Sequence, residues 1–112
     1  MENGQLEISP RDLKRRIDAA ESIVLIDVRE PAEHAIARIQ GAELIPMNSI
    51  PGNLQRLEML ADESLIVTFC HHGIRSLEVA AWLQARGLTN AVSMTGGIDR
   101  WAIEIDQQIP QY

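Results

Sequence analysis

Two stretches, Ile23-Val24-Leu25-Ile26 and Leu65-Ile66-Val67-Thr68-Phe69, are apolar along nearly their whole length and rich in β-branched side chains. A strand with one wet face alternates apolar and polar residues. A run without alternation needs cover on both faces, as in parallel sheets carrying crossover helices. Where such runs alternate with helix-like segments, they argue for an α/β fold with an open, mostly parallel sheet.

The intervening segments supply them. Ser9-Pro10-Arg11-Asp12 combines a capping serine, a first-turn proline and an acid three residues after the serine. Leu13, Ile17 and Ala20 then recur on one helical face. Asp27 ends the first run, and Glu30-Pro31 opens a short helix that closes near Ile36 or Ala37. Glu43-Leu44-Ile45 predicts a short strand stopped by Pro46, and Leu54, Leu57 and Leu60 mark another helix. After the second run comes a helix from about Arg75 to Arg86 with Gly87 as its C-terminal cap. Ala91-Val92-Ser93-Met94 reads as the last strand, and Gly96-Gly97 turns the chain into a helix containing Trp101. The expected fold is one α/β domain over residues 1–112, with its core at about 8–105. It has an open, mostly parallel sheet of about five short strands with helices on both faces. The first few residues and the polar tail read as loose ends.

The 112 residues carry a net charge of −6, which disfavours nucleic acid or an anionic membrane as the main partner. Nine of the ten basic residues are arginine, so a local anion site stays open. The single cysteine cannot form an internal disulfide and calls for no oxidising compartment. Met1-Glu2-Asn3-Gly4 lacks the pattern of a secretory signal. No apolar run approaches the roughly 20 residues of a membrane span, and a cytoplasmic location is expected.

In open α/β sheets ligands bind beyond the carboxyl ends of the strands, where Asp27 and Cys70 both fall. A buried packing role is the ordinary fate of a lone cysteine. The residues after Cys70 favour chemistry instead. His71, His72, Gly73, Ile74 and Arg75 connect the strand directly to a helix. Such a loop turns backbone N–H groups inward, and the helix adds its own first-turn donors. Gly73 suits the tight turn. A thiol at that focus is expected as a thiolate near neutral pH. Arg75 is expected to offer a planar fork to an oxyanion, and Ser76 first to cap the helix or, as the alternative, to donate to bound substrate within the loop.

Cys-x-x-Gly-x-Arg-Ser at residues 70–76 resembles the active-site loop of the rhodanese (sulfurtransferase) family. Asp27-Val28-Arg29-Glu30 with Glu33, the segment from Gln40-Gly41-Ala42 to Ile45-Pro46, and Gly96-Gly97 with Trp101 are similar to three further family segments, in order. The resemblance runs from about Ile8 to the terminus. It implies a single-domain sulfurtransferase in which Cys70 takes a sulfane sulfur from a small anionic donor such as thiosulfate. The resulting persulfide passes that sulfur to cyanide, a thiol or a protein acceptor. The amides of residues 71–75 would hold the sulfur in a locally electropositive site, with Arg75 closing the loop and Asp27 and Arg29 in support. No metal or organic cofactor is implied.

Two rivals accompany this expectation. One is a non-catalytic sulfur carrier, or a delivery or regulatory module of the same fold; retention of Cys70 and Arg75 counts against a purely regulatory domain. The other is a cysteine phosphatase or arsenate reductase, disfavoured because four residues rather than five separate Cys70 from Arg75. Cys70-His71-His72 offers three potential metal ligands, but neighbours on one loop rarely converge on one ion. His71 and His72 either add positive charge as pH falls toward about 6.5 or are solvated loop residues without chemical duty. Asp27 and Arg29 are more simply an ion pair tying the strand end to the helix after Pro31. Trp101 is expected to pack in the core. Ala37-Arg38-Ile39 stands where the family often has Gly-His-Ile, a departure that leaves open whether the short helix lengthens or ends differently and whether Arg38 takes over the histidine's hydrogen bonds.

Overall fold

The computed structural model describes residues 5–112. The start of the expected domain, including Met1-Glu2-Asn3-Gly4, lies outside the described residues. In chain order the elements are β1 (Glu7–Ile8), α1 (Pro10–Asp18), β2 (Ile23–Asp27), α2 (Pro31–Ile36), β3 (Glu43–Leu44), α3 (Leu54–Ala61), β4 (Leu65–Phe69), α4 (Ile74–Ala85), β5 (Ala91–Met94) and α5 (Gly97–Glu104). Two short 3-10 turns, Met47–Ser49 and Pro51–Asn53, bridge β3 to α3. No helix among the described residues is long and apolar enough to cross a membrane.

The five strands form one sheet in the order β1-β5-β4-β2-β3, with every pairing parallel. The two apolar runs are neighbours at its centre, in register from Ile23 opposite Leu65 to Asp27 opposite Phe69. Their side chains alternate between two cores. Leu25, Val67, Phe69, Val92 and Met94 face α1 and α5 through Leu13, Ile98 and Trp101. Ile26, Ile66, Cys70 and Ala91 face α3 and α4 through Leu57, Val79 and Leu83. That double cover is the physical reason these strands lack alternation. Trp101 is buried in the first core, as expected.

Ser9 accepts the Asp12 N–H at 3.1 Å and Pro10 opens α1, so the cap forms as the sequence implies. The helical face beyond it is shorter than the spacing suggests. Leu13 is fully buried, but Ile17 is exposed, and Ala20 lies past the helix end at φ +60°. The chain has to leave α1 at Asp18 to reach β2 at Ile23. α2 is not lengthened by Ala37 either. Ala37 is extended (φ −153°, ψ 133°), a conformation that needs no glycine, and Arg38 is exposed.

Candidate active site

β4 ends at Phe69 and delivers Cys70 to the carboxyl edge of the sheet, between the parallel strands β2 and β5. The loop then turns sharply. Gly73 sits at φ +102° as the residue capping α4, and a Cβ there would lie 3.1 Å from the Gly96 nitrogen. The backbone angle strains any side chain there, and the close approach would oblige the Gly96 backbone to give by a few tenths of an ångström.

Within this turn the sulfur is ringed by donors. The Gly73 N–H points to Cys70 Sγ at 3.1 Å and the Ser76 N–H at 3.4 Å. The Ser76 hydroxyl lies 3.4 Å from Sγ and is joined to the Ser93 hydroxyl at 2.7 Å. Ser76 is therefore a wall of the sulfur site and not the helix cap expected of it; Gly73 occupies the cap position. Of the expected 71–75 set only the Gly73 amide bonds Sγ, and the Ser76 amide lies outside that set. Cys70 is also deeper than a nucleophile at an open mouth, only 1 % exposed. It lies at the floor of the cradle, against the α3–α4 core. Ile74, in contrast, is exposed.

α5 closes the loop from behind. Its first-turn amides at Ile98 and Asp99 bind the carbonyls of Cys70 (2.9 Å) and His71 (3.1 Å). Those helix donors would otherwise be orphaned, so the helix start and the loop satisfy each other.

Arg75 is on the first turn of α4, but its fork is already engaged. Nη1 and Nη2 bind the two carboxylate oxygens of Glu33 at 2.6 and 2.9 Å. This bidentate pair holds Glu33 down at about 2 and raises Arg75 further above the ordinary arginine value. Glu33 thus neutralises Arg75, and of the three expected sources of positive potential the loop amides and the start of α4 remain unpaired by any carboxylate among the described residues.

Arg29 is fully buried. Its Nε and Nη2 bind the Asp27 carboxylate at 2.8 and 2.7 Å, and Nη2 also reaches the Ala37 carbonyl at 2.5 Å. Nη1 reaches the Glu33 carbonyl at 3.3 Å and the Tyr112 hydroxyl at 2.7 Å. Burial pulls its guanidinium down, but Asp27 and Tyr112 outweigh that and raise it. The ion-pair reading of Asp27 and Arg29 thus holds, with α2 tied on through Glu33 and Ala37. Asp27 is also bonded by the His34 imidazole, 2.9 Å away on α2, while Arg38 is exposed.

His71 and His72 stack on each other, centroids 3.8 Å apart and planes 27° apart. Asp99 completes a group whose potential ligand atoms lie within 4.8 Å of one another, a convergence the sequence did not reveal. Burial, with His72 alongside, pushes His71 down from the usual histidine value.

The family model described as "Rhodanese-like domain" matches residues 9–104. The chain belongs to the rhodanese-like family. Among relatives of this rhodanese-like domain, a sulfurtransferase of Allochromatium vinosum is 33% identical, with 86% of this chain and 87% of that one aligned. The putative sulfurtransferase YtwF of Bacillus subtilis is 38% identical, over 85% and 88%. The probable adenylyltransferase/sulfurtransferase MoeZ of Mycobacterium tuberculosis is 36% identical over 94% of this chain, which spans only 26% of that protein's length. The structure of SSP1007 from Staphylococcus saprophyticus superposes with a TM-score of 0.78 at 36% identity, covering 95% of this chain and 99% of that one. Relatives aligned along most of their own length thus carry sulfurtransferase names, and a sulfurtransferase-like enzyme is supported at family level. The same domain type also aligns with about a third of a longer protein named as a tRNA uridine(34) hydroxylase, at 34% identity.

Proposed function

We propose that this domain moves a sulfane sulfur from a donor to a nucleophilic acceptor through a persulfide on Cys70. The observation that carries the proposal is the pair of amides, Gly73 and Ser76, aimed at a lone cysteine sulfur. With thiosulfate as donor, the Cys70 thiolate forms a bond to the outer sulfur. The S–S bond of thiosulfate breaks, and its electron pair leaves on sulfite. An acceptor such as cyanide or a thiolate then attacks the outer sulfur of the persulfide, and the Cys70 thiolate departs with the bonding pair. No external oxidant or reductant enters. Amide donors fixed before the reaction stabilise negative charge on either sulfur without having to reorganise. With the Ser93 hydroxyl donating to Ser76 Oγ, the Ser76 hydrogen can turn toward an anionic sulfur at Cys70. A cytoplasmic location belongs to the same proposal, as do a small anionic donor and a thiol, cyanide or protein acceptor.

Incubation with thiosulfate, or with a small organic persulfide, is expected to add about 32 Da in the intact mass spectrum, reversibly with a thiol. Cys70→Ala should show no adduct. A wild-type protein that takes up no sulfur from either donor is not a sulfurtransferase.

Arg75→Ala is expected to change stability by less than about 1 kcal/mol at neutral pH, because the ion pair is partly solvated. It should also remove an acid-side dependence. A depressed Glu33 adds stability above its ordinary range, near 4.5, and loses it as pH falls toward about 2. Urea titrations across that window should show the wild-type and variant curves converging at the acid end. A Km for thiosulfate that rises in the variant would give Arg75 a part in donor binding, and an unchanged Km would confine it to holding Glu33.

A further inference from the structure

The polar tail expected to be loose instead folds back onto the site. Tyr112 stacks on His71 with centroids 3.8 Å apart and planes 7° apart, so His71 is held between Tyr112 and His72. The Tyr112 hydroxyl donates to Glu33 Oε2 at 2.8 Å and accepts from Arg29 Nη1 at 2.7 Å. One side chain thereby touches the end of β2, helix α2 and the Cys70 loop. Through Glu33 it also reaches Arg75 at the start of α4. Ile109, earlier in the tail, packs against the first core, and Gln111 reaches Asp99 at 3.4 Å.

His71 needs such a hold. Its Nε2 is buried without a hydrogen-bond partner, so the faces of the ring, and not a bond from that nitrogen, fix the side chain. α5 holds the carbonyls of Cys70 and His71. The next amide to reach the sulfur is that of Gly73, two residues beyond His71. The stacked His71 ring is therefore a second restraint, beside α5, on the backbone that leads to the Gly73 amide.

We infer that Tyr112 is a positioning residue for Cys70, its ring clamping His71 so that the Gly73 amide stays aimed at the sulfur. The clamp lies in the ring, and the hydroxyl seats the ring by bridging Arg29 and Glu33. The kinetic part of this inference rests on sulfur transfer by Cys70; the geometric part does not.

Tyr112→Leu removes ring and hydroxyl, while Tyr112→Phe keeps the ring. In the leucine variant, hydrogen exchange at the Gly73 amide should quicken roughly tenfold, and kcat for thiosulfate:cyanide transfer should fall by about five- to tenfold with Km within twofold. The phenylalanine variant should stay within about twofold of wild type on both readouts. A leucine variant with unchanged Gly73 exchange, or a phenylalanine variant as impaired as leucine, overturns the inference. If Tyr112→Leu does not fold, His71→Leu removes the other ring of the pair and carries the same expectations and the same refutation. A wild-type protein that accepts no sulfur refutes the transfer chemistry, and the exchange comparison alone then decides Tyr112.

Discussion

Arg29→Met is expected to cost about 3–5 kcal/mol of folding stability, the usual cost of removing one partner from a buried ion pair. Arg29 has five N–H donors. Five hydrogen bonds take them up, to Asp27 twice and once each to Glu33, Ala37 and Tyr112. Methionine fills much of the volume but leaves the Asp27 carboxylate fully buried, with only the residue 29 amide and His34 beside it. The carbonyl of Ala37 loses its charged donor at the same time. Adding Asp27→Asn should recover a large part of the loss, because a neutral amide has less to lose from burial than an unpaired carboxylate. Arg29→Lys should not, since a point charge cannot bridge acceptors spread around a planar fork. Urea unfolding of the single and double variants measures this. An Arg29→Met protein within about 1 kcal/mol of wild type would mean that the buried Asp27–Arg29 pair does not hold the strand end to α2.

The central architecture is legible in the sequence because its cause is local. Strands buried on both faces announce themselves as unbroken apolar runs, and β2, β4 and β5 appear where such runs fall. β1 is not, since two residues, Glu7 and Ile8, carry no period; their pairing with Ser93 and Met94 defines them as a strand. Cys70, Gly73 and Ser76 can be picked out because loop and helix start are contiguous in sequence. The partners of the charged groups cannot. Arg75 meets Glu33 across 42 residues, and Arg29 meets Tyr112 across 83, separations at which side-chain chemistry gives no register. The expected capping role of Ser76 fails for a related reason. Gly73 caps α4 by its left-handed backbone alone, which leaves the serine hydroxyl to turn inward to Cys70 and Ser93. His34 escapes notice because its target, Asp27, becomes a buried acceptor only once Arg29 has folded onto it.

The contiguity of the Cys70 loop hides its dependence on a segment more than twenty residues later, and Gly97→Ala should expose it. Gly97 has φ +63°, and a Cβ built there would lie 2.4 Å from both the Cys70 and His71 carbonyl oxygens. Those atoms are backbone, so no rotamer change relieves the clash. The same two oxygens accept the Ile98 and Asp99 amides. The methyl group must therefore push α5 off the loop and orphan its first-turn donors. Strain at the backbone and overpacking each cost about 1–3 kcal/mol, so a loss of roughly 2–5 kcal/mol is expected. Gly87→Ala separates the two contributions. Gly87 also has positive φ (+96°), but a Cβ there meets nothing within 4 Å, so only the backbone part, about 1–2 kcal/mol, should appear. Activity should diverge more sharply than stability. Displacing the Cys70 and His71 carbonyls by even about 1 Å misaims the amides around Sγ, a scale of error that costs on the order of a hundredfold in rate. Sulfur uptake by folded Gly97→Ala, measured in single turnover, should fall by about that factor while Gly87→Ala keeps the wild-type rate. Equal losses in the two glycine variants would mean that α5 does not hold the nucleophile's loop in place.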